Sequence, residues 1–380
     1  MKIKTIGIKY PQTRLVMNKV PGVDYTWIQN YINPLLKRYG CFEVWKPLFD
    51  FGVTGYHTVN TVMLTDKPWC VSFEDYVPRG SMEEFWETAY WGHDVKKPCK
   101  RIDRMVEAIA KDNCKCLMAL SECNLKMQQD FYRNYCSPEV VEKLIAKTIL
   151  LKVPQATLVD APHVHKKGEK IKFCFVGNDF FRKGGLEMIS AMRELRKKRT
   201  DFEFYLVTKL ESTGNYALYN CKDTPDEENS IREYVLRESS WIHYQTNVPN
   251  QKVLELIKSC DVGLLPTWND TYGYSVLEMQ ACGVPVITTN VRALPETNTN
   301  GWFVELDTNH NGEVLIFDNW NLKKKTRESM ISQLYSIIDD ICEHPDQIYN
   351  KAQASLEYIK TKHSPESYAE SLKSIYSTFK

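Results

Sequence analysis

Charge of one sign is what this 380-residue chain most plainly lacks: basic and acidic side chains nearly cancel, leaving a formal net charge of +1. Such balance gives no reason to expect nucleic acid as a partner. Long apolar runs are missing too. A membrane-spanning helix needs about 18 or more consecutive apolar residues, and no such run occurs. The opening MKIKTIGIKYPQTR has no leader-like apolar core and reads as a first strand, so a cytoplasmic location is expected. Cysteines are present, but none stands in a CxxC pair. A zinc site is therefore not expected, and reduced thiols are. There is no G-x-G-x-x-G fingerprint, no Walker A loop and no internal repeat.

What is there begins with length. The chain exceeds one ordinary core and predicts two domains. The first is expected over residues 1–156 and the second over 171–362. A polar linker, 157–170, carries Pro162, Gly168 and clustered charges. His163 and His165 lie in that linker without a third ligand at a recognisable metal spacing, and read as its ornament.

The most informative stretch is 261–288. Asp261 to Leu265 read as a buried strand, Pro266 stops it, and a polar loop runs from Thr267 through Asp270 to Thr271. Gly273 and Ser275 then open a helix, with Ser275 and Glu278 expected as a capping box. A second buried strand follows Gly283. Strand, loop, helix, strand puts the loop at the carboxyl edge of a parallel sheet, where open α/β folds bind ligands. A helix start offers unpartnered amides and partial positive charge, so the backbone around Gly273, Tyr274 and Ser275 is a candidate phosphate holder. Glu278, an acceptor when ionised, suits a pair of sugar hydroxyls, and Asp270 another. The same Ser-x-x-Glu also serves elsewhere as nothing more than a helix cap.

Residues 171–176 predict another strand, followed by Gly177-Asn178-Asp179-Phe180-Phe181-Arg182-Lys183-Gly184-Gly185 and a helix. Adjacent cations at a helix start oppose its dipole by roughly 0.3–1 kcal/mol each. An anion is expected to offset them. A diphosphate fits, with Arg182 as a bidentate partner and Lys183 as a point charge.

Together these strings resemble the sugar-donor site of GT-B glycosyltransferases, in particular glycosyltransferase family 4. The family's Glu-Gly-Phe-Gly stands here as Asp270-Thr271-Tyr272-Gly273, its Leu-Glu as Leu277-Glu278, and its Gly-x-Pro-Val-Ile as Gly283 to Ile287. The spacing of the two acids is kept. In the family's Gly-Arg…Lys-Gly loop, Lys183 matches the Lys, Asn178 replaces the Arg, and Arg182 stands in for it. The loop containing Val248 matches the one that cradles the nucleotide base, and Arg292 to Glu296 match a Gly-Gly-x-Pro-Glu turn. The resemblance implies an α/β fold of the GT-B type: two Rossmann-like domains with parallel sheets facing across a cleft. A terminal helix, 365–380, would cross back to the first domain. It implies an enzyme that transfers a sugar from a nucleotide-diphosphate sugar to a glycan or lipid-linked acceptor, with retention, in polysaccharide or glycoconjugate biosynthesis. No metal or other cofactor is implied. Two rivals remain: a sugar-nucleotide epimerase of the same architecture, whose carboxylate and histidine array is not found, and a non-catalytic nucleotide-sugar binding subunit.

The first half is less specific. Tyr25 to Tyr39 predict an amphipathic helix after a long loop containing Gly22, which with Asn60 is expected on the acceptor side. A strand near Trp69 ends in Glu74 and Asp75. Where the family places a histidine facing the acceptor, Phe73-Glu74 stands. Either Glu74 or Asp75 serves the acceptor hydroxyl, or the role moves to His57. With Asp270, these are the catalytic candidates. Lys96, Lys97, Lys100, Arg101 and Arg104 form a basic run, read either as a solvated helix face or as affinity for an anionic membrane surface.

Overall fold

The structure is a computed structural model and describes residues 1–6, 20–28, 44–47, 51–79, 100–212, 223–316 and 319–379. It divides into two compact units, Met1–Pro154 with His363–Lys380, and Gln155–Lys362.

In the first unit the chain forms β1 (Lys2–Ile6), β2 (Asp24–Ile28), β3 (Val44–Trp45), β4 (Gly55–Val59), β5 (Val62–Met63) and β6 (Trp69–Phe73). Then come α1 (Lys100–Ala110), β7 (Cys114–Ala119), α2 (Glu122–Tyr135), α3 (Pro138–Lys147) and β8 (Thr148–Leu150). The main sheet runs β2-β1-β4-β6-β7-β8 with every pairing parallel. Its central strands β4 and β6 are buried along their whole length, as all-parallel sheets require.

The helix expected from Tyr25 does not begin there. Asp24–Ile28 is an edge strand in register with β1, Lys2 opposite Asp24. Its aromatic and β-branched side chains (Tyr25, Thr26, Trp27, Ile28) suit a pleated surface, and that pairing overrides the helical pattern. Residues 29–39 of that expectation lie outside the described residues, as do Lys96 and Lys97.

In the second unit the elements are β9 (Ile171–Val176), α4 (Gly185–Arg196), β10 (Phe202–Val207), α5 (Pro225–Arg237), β11 (Ile242–Gln245), α6 (Asn250–Lys258), β12 (Val262–Leu265) and α7 (Tyr274–Ala281). They continue with β13 (Val286–Thr289), α8 (Leu294–Thr297), β14 (Trp302–Val304), α9 (Trp320–Glu343) and α10 (Asp346–Lys362). The sheet order is β11-β10-β9-β12-β13-β14, again all parallel. The order reverses between β9 and β12, which makes that junction the topological switch point of a doubly wound sheet. Helix α5 starts at Pro225 behind a Thr224–Glu227 capping box.

Residues 157–170 are not a free linker. They lie within the second unit, where Leu158 N–H donates to Ala281 O at 2.7 Å. Asp261 Oδ1 lies 3.3 Å from His165 Nδ1 and 3.7 Å from His163 Nε2. A terminal helix, α11 (Pro365–Ser377), belongs to the first unit. Its Tyr368, Leu372 and Tyr376 join Ile3, Cys70 and Met118 in one buried cluster.

Candidate functional site

The loop after β9 is shaped by where its phenylalanines go. Phe180 and Phe181 are fully buried, which turns the chain back on itself. Lys183 N–H donates to Asp179 O at 3.1 Å and Gly185 N–H to Phe180 O at 2.9 Å. Gly184 closes the turn at φ 82°, and a Cβ there would lie 1.9 Å from Pro266 O. Only glycine fits both the left-handed conformation and the close approach of the next loop. The Lys183 side chain folds across Gly177, while Asn178 stays exposed.

The loop after β12 meets this turn directly. Trp268 N–H donates to Arg182 O at 3.0 Å, and Thr267 Oγ1 donates to the same oxygen at 3.3 Å. Asp270 Oδ1 accepts from Gly273 N at 2.8 Å and from Tyr272 N at 3.3 Å. Its Oδ2 lies 3.3 Å from Lys183 Nζ. Burial by itself would raise the Asp270 pKa, but Lys183, Arg182 and the two amides outweigh it and hold the carboxyl below its usual range. Asp270 is thus fixed as the counter-ion of Lys183. Arg182, expected to clamp a diphosphate, is turned to a different task. Its Nε donates to Asp179 Oδ2 and its Nη1 to Asn269 O, tying the two loops together.

The capping box expected at Ser275 does not form. The N-cap of α7 is Gly273, at φ 79° and without a side-chain cap. Ser275 falls inside the first turn, and its hydroxyl is buried with no hydrogen-bond partner. Asp270 has taken over the loop amides that precede the helix. Thr271 and Tyr274 are half-buried, and the Tyr272 and Tyr274 rings lie 5.1 Å apart. Glu278 sits in the second turn of α7, half-buried. Val248 lies in the loop after β11, packed against the core's edge.

Three residues were not legible as a group. Asn269 Nδ2 donates to Glu313 Oε2, and Arg292 Nη1 to Glu313 Oε1, all three side chains being buried. The sequence offers only a loop asparagine, a turn arginine and a glutamate after an Asn-Gly turn, with no spacing that links them.

In the first unit the expectations fare differently. Asn60 and Glu74 do meet at the carboxyl ends of β4 and β6: Glu74 N–H donates to Asn60 Oδ1 at 3.1 Å, and Asn60 Nδ2 to Glu74 Oε1 at 3.3 Å. Arg79 Nη2 lies 3.4 Å from the same oxygen. Asp75, in contrast, is 1% exposed, beneath the start of α2 where Asn124 donates to its carbonyl. His57 is sealed in the core. Its Nδ1 lies 2.6 Å from Tyr376 Oη and its Nε2 2.8 Å from Ser72 Oγ, and burial lowers its pKa to about 3. A neutral, doubly bonded, fully enclosed imidazole cannot reach an acceptor. Gly22 is at the wrong end of the sheet. Because β2 runs parallel to β1, the chain must return to the amino edge first, and Gly22 O there accepts from the Met1 amino group at 3.2 Å.

Among the described residues, no three His, Cys, Asp or Glu side chains gather as a metal site, and no helix is long and apolar enough to cross a membrane. A groove of about 610 Å³ lies between Thr157–Pro162 and α10, against the far end of α7 from Gly273. It shares no residue with the two loops.

Residues 160–333 match the family model described as Glycosyl transferases group 1. The second unit carries a glycosyl transferases group 1 domain. The chain is similar to part of N,N'-diacetylbacillosaminyl-diphospho-undecaprenol alpha-1,3-N-acetylgalactosaminyltransferase of Campylobacter jejuni, 24% identical over 157 residues, or 41% of this chain and 36% of that protein. The chain spans about a third of the length of the curated relatives it matches. In fold the likeness covers both units. Sucrose-phosphate synthase from Thermosynechococcus elongatus superposes with a TM-score of 0.62 at 13% identity, over 99% of this chain and 98% of that one. HepE from Anabaena, in complex with UDP and glucose, gives 0.61 at 11% identity over the whole of both chains. The architecture of two Rossmann-like halves is that of GT-B glycosyltransferases.

Proposed function

We propose that the chain is a glycosyltransferase that takes a sugar from a nucleotide-diphosphate donor and passes it to a glycan or lipid-linked acceptor. One observation carries this reading. The cationic turn after β9 and the helix start after β12 lie against each other at the switch point of the second unit's sheet, with Lys183 3.3 Å from Asp270. The diphosphate would sit there, on Lys183 and the first amides of α7, with Glu278 toward the ribose and the loop at Val248 toward the base. When the bond between the anomeric carbon and the diphosphate oxygen breaks, its electron pair leaves on that oxygen. A fixed ammonium and aligned amides stabilise the charge without reorganising. The acceptor hydroxyl oxygen forms the new bond and gives up its proton to a carboxylate base. Glu74, at the carboxyl edge of the first unit's sheet, is the acidic candidate there that remains near the surface. Retention of configuration belongs to the same proposal and rests on the family resemblance; independence of metal rests on the cation and helix-start amides, and work at a membrane face on the basic run that includes Lys100, Arg101 and Arg104.

The test is Lys183→Ala. Titration calorimetry with UDP and GDP should show binding to the wild type and a loss of about tenfold or more in the variant. Turnover with a confirmed sugar donor should fall by about 10²–10³, the usual cost of one transition-state charge partner. Near-wild-type binding and turnover in a folded variant would show the phosphate assignment to be wrong. Binding without turnover on any acceptor in the wild type would favour the binding-subunit rival.

A further inference from the structure

Beneath the Lys183–Asp270 pair runs a continuous chain of buried polar contacts. Asp179 accepts from Arg182, Arg182 donates to the carbonyl of Asn269, Asn269 donates to Glu313, and Glu313 accepts from Arg292. The chain threads the loops that leave the carboxyl ends of β9, β12, β13 and β14. The pair that would meet the diphosphate is adjacent in sequence to two of its members, Lys183 beside Arg182 and Asp270 beside Asn269.

Glu313 is the member with the most leverage. It is 4% exposed, and each carboxylate oxygen receives a donor from a different loop. Its own position is built locally: Asn309 Oδ1 accepts from Asn311 N at 2.9 Å and from Glu313 N at 3.0 Å. Arg292 is held from the other side by its N–H donating to Gly312 O at 3.0 Å. Truncating Glu313 would leave Arg292 buried without this carboxylate, and would remove the acceptor of the Asn269 side chain in the loop that aims Asp270.

We propose that Glu313 is a positioning residue of the sugar-nucleotide site, acting through Asn269 to hold the Lys183–Asp270 pair at the sheet edge. This rests on the reading of that edge as a nucleoside-diphosphate site.

The experiment is calorimetric titration of UDP and GDP into the full chain: wild type, Glu313→Ala, Glu313→Gln, Lys183→Ala and the Lys183→Ala/Glu313→Ala double variant, each with its melting temperature. Glu313→Ala should weaken binding about tenfold. Glu313→Gln keeps one acceptor and the volume, so it should lose about threefold. In the Lys183→Ala background, the added loss from Glu313→Ala should shrink below about twofold, because a relay acting through Lys183 is non-additive with it. A purely structural role predicts a lower melting temperature with unchanged affinity, or fully additive losses; either outcome overturns the proposal. Should Glu313→Ala fail to fold, wild-type affinity in a folded Glu313→Gln overturns it equally. A wild type that binds neither nucleotide overturns the underlying reading along with it, whereas a binding wild type with indifferent variants sinks the relay alone.

Discussion

At the scale of single residues, the two units treat their polar groups in opposite ways. His57 is held neutral in a closed core, its pKa lowered from 6.5 to about 3 by burial. In the unfolded chain the same imidazole takes up a proton below its ordinary value. Stability from this group is therefore complete above pH 6.5 and is lost as pH falls toward 3. Within that window one proton separates the states, a slope of about 1.4 kcal/mol per pH unit. Denaturant melts of wild type and His57→Gln between pH 4 and 8 should show the wild type falling more steeply on the acid side, by up to about that slope. Parallel curves would mean that His57 is not sealed. Asp270, partly buried at the loop tip, stays charged because a lysine, an arginine and two backbone amides receive it. His57 has no charged partner in its closed core and stays neutral, whereas Asp270 meets cations and amides and stays an ion.

At the scale of elements, the decisive contact is between two loops. Gly184 sits with no room for a β-carbon against Pro266 O, in a backbone conformation that L side chains rarely adopt. Gly184→Ala should cost about 1–3 kcal/mol in chemical denaturation, through strain and overpacking together. The same change should push Lys183 out of reach of Asp270 and abolish nucleoside-diphosphate binding. A variant with wild-type stability and affinity would show that the loops do not need this approach. The start of α7 carries a related lesson. Ser275 and Glu278 have the spacing of a capping box, but Gly273 reaches the left-handed cap position first and Asp270 captures the preceding amides. Local propensity named the right helix and the wrong cap, since a side chain from the loop outcompeted one from the helix.

At the scale of the whole molecule, the chain builds one unit, then the other, and returns to the first. Residues 363–380 belong with Met1–Pro154, and Tyr376 closes the core over His57. A chain ending at Lys362 would expose Ile3, Cys70 and Met118, which pack against Tyr368, Leu372 and Tyr376. Hydrogen exchange of that truncated chain should show β1, β4, β6 and β7 losing protection while β9 to β14 keep theirs. Retained protection in the first sheet would mean that the terminal helix is dispensable.

Read alone, the sequence determined the α/β class, most helices and strands, and the two strings around Lys183 and Gly273. Those features are local: periodicity, glycine and proline placement, and cations set against a helix start. Tertiary structure decided the rest, because direction and register in a parallel sheet cannot be read from a segment. It carried Gly22 to the amino edge, turned Tyr25 and its neighbours into an edge strand, and folded His57 inward. It also joined Arg182 to Asn269 across 87 residues and Asn269 to Glu313 across 44. No pattern announces such pairs, since a buried charge finds its partner wherever the chain brings one within hydrogen-bonding distance.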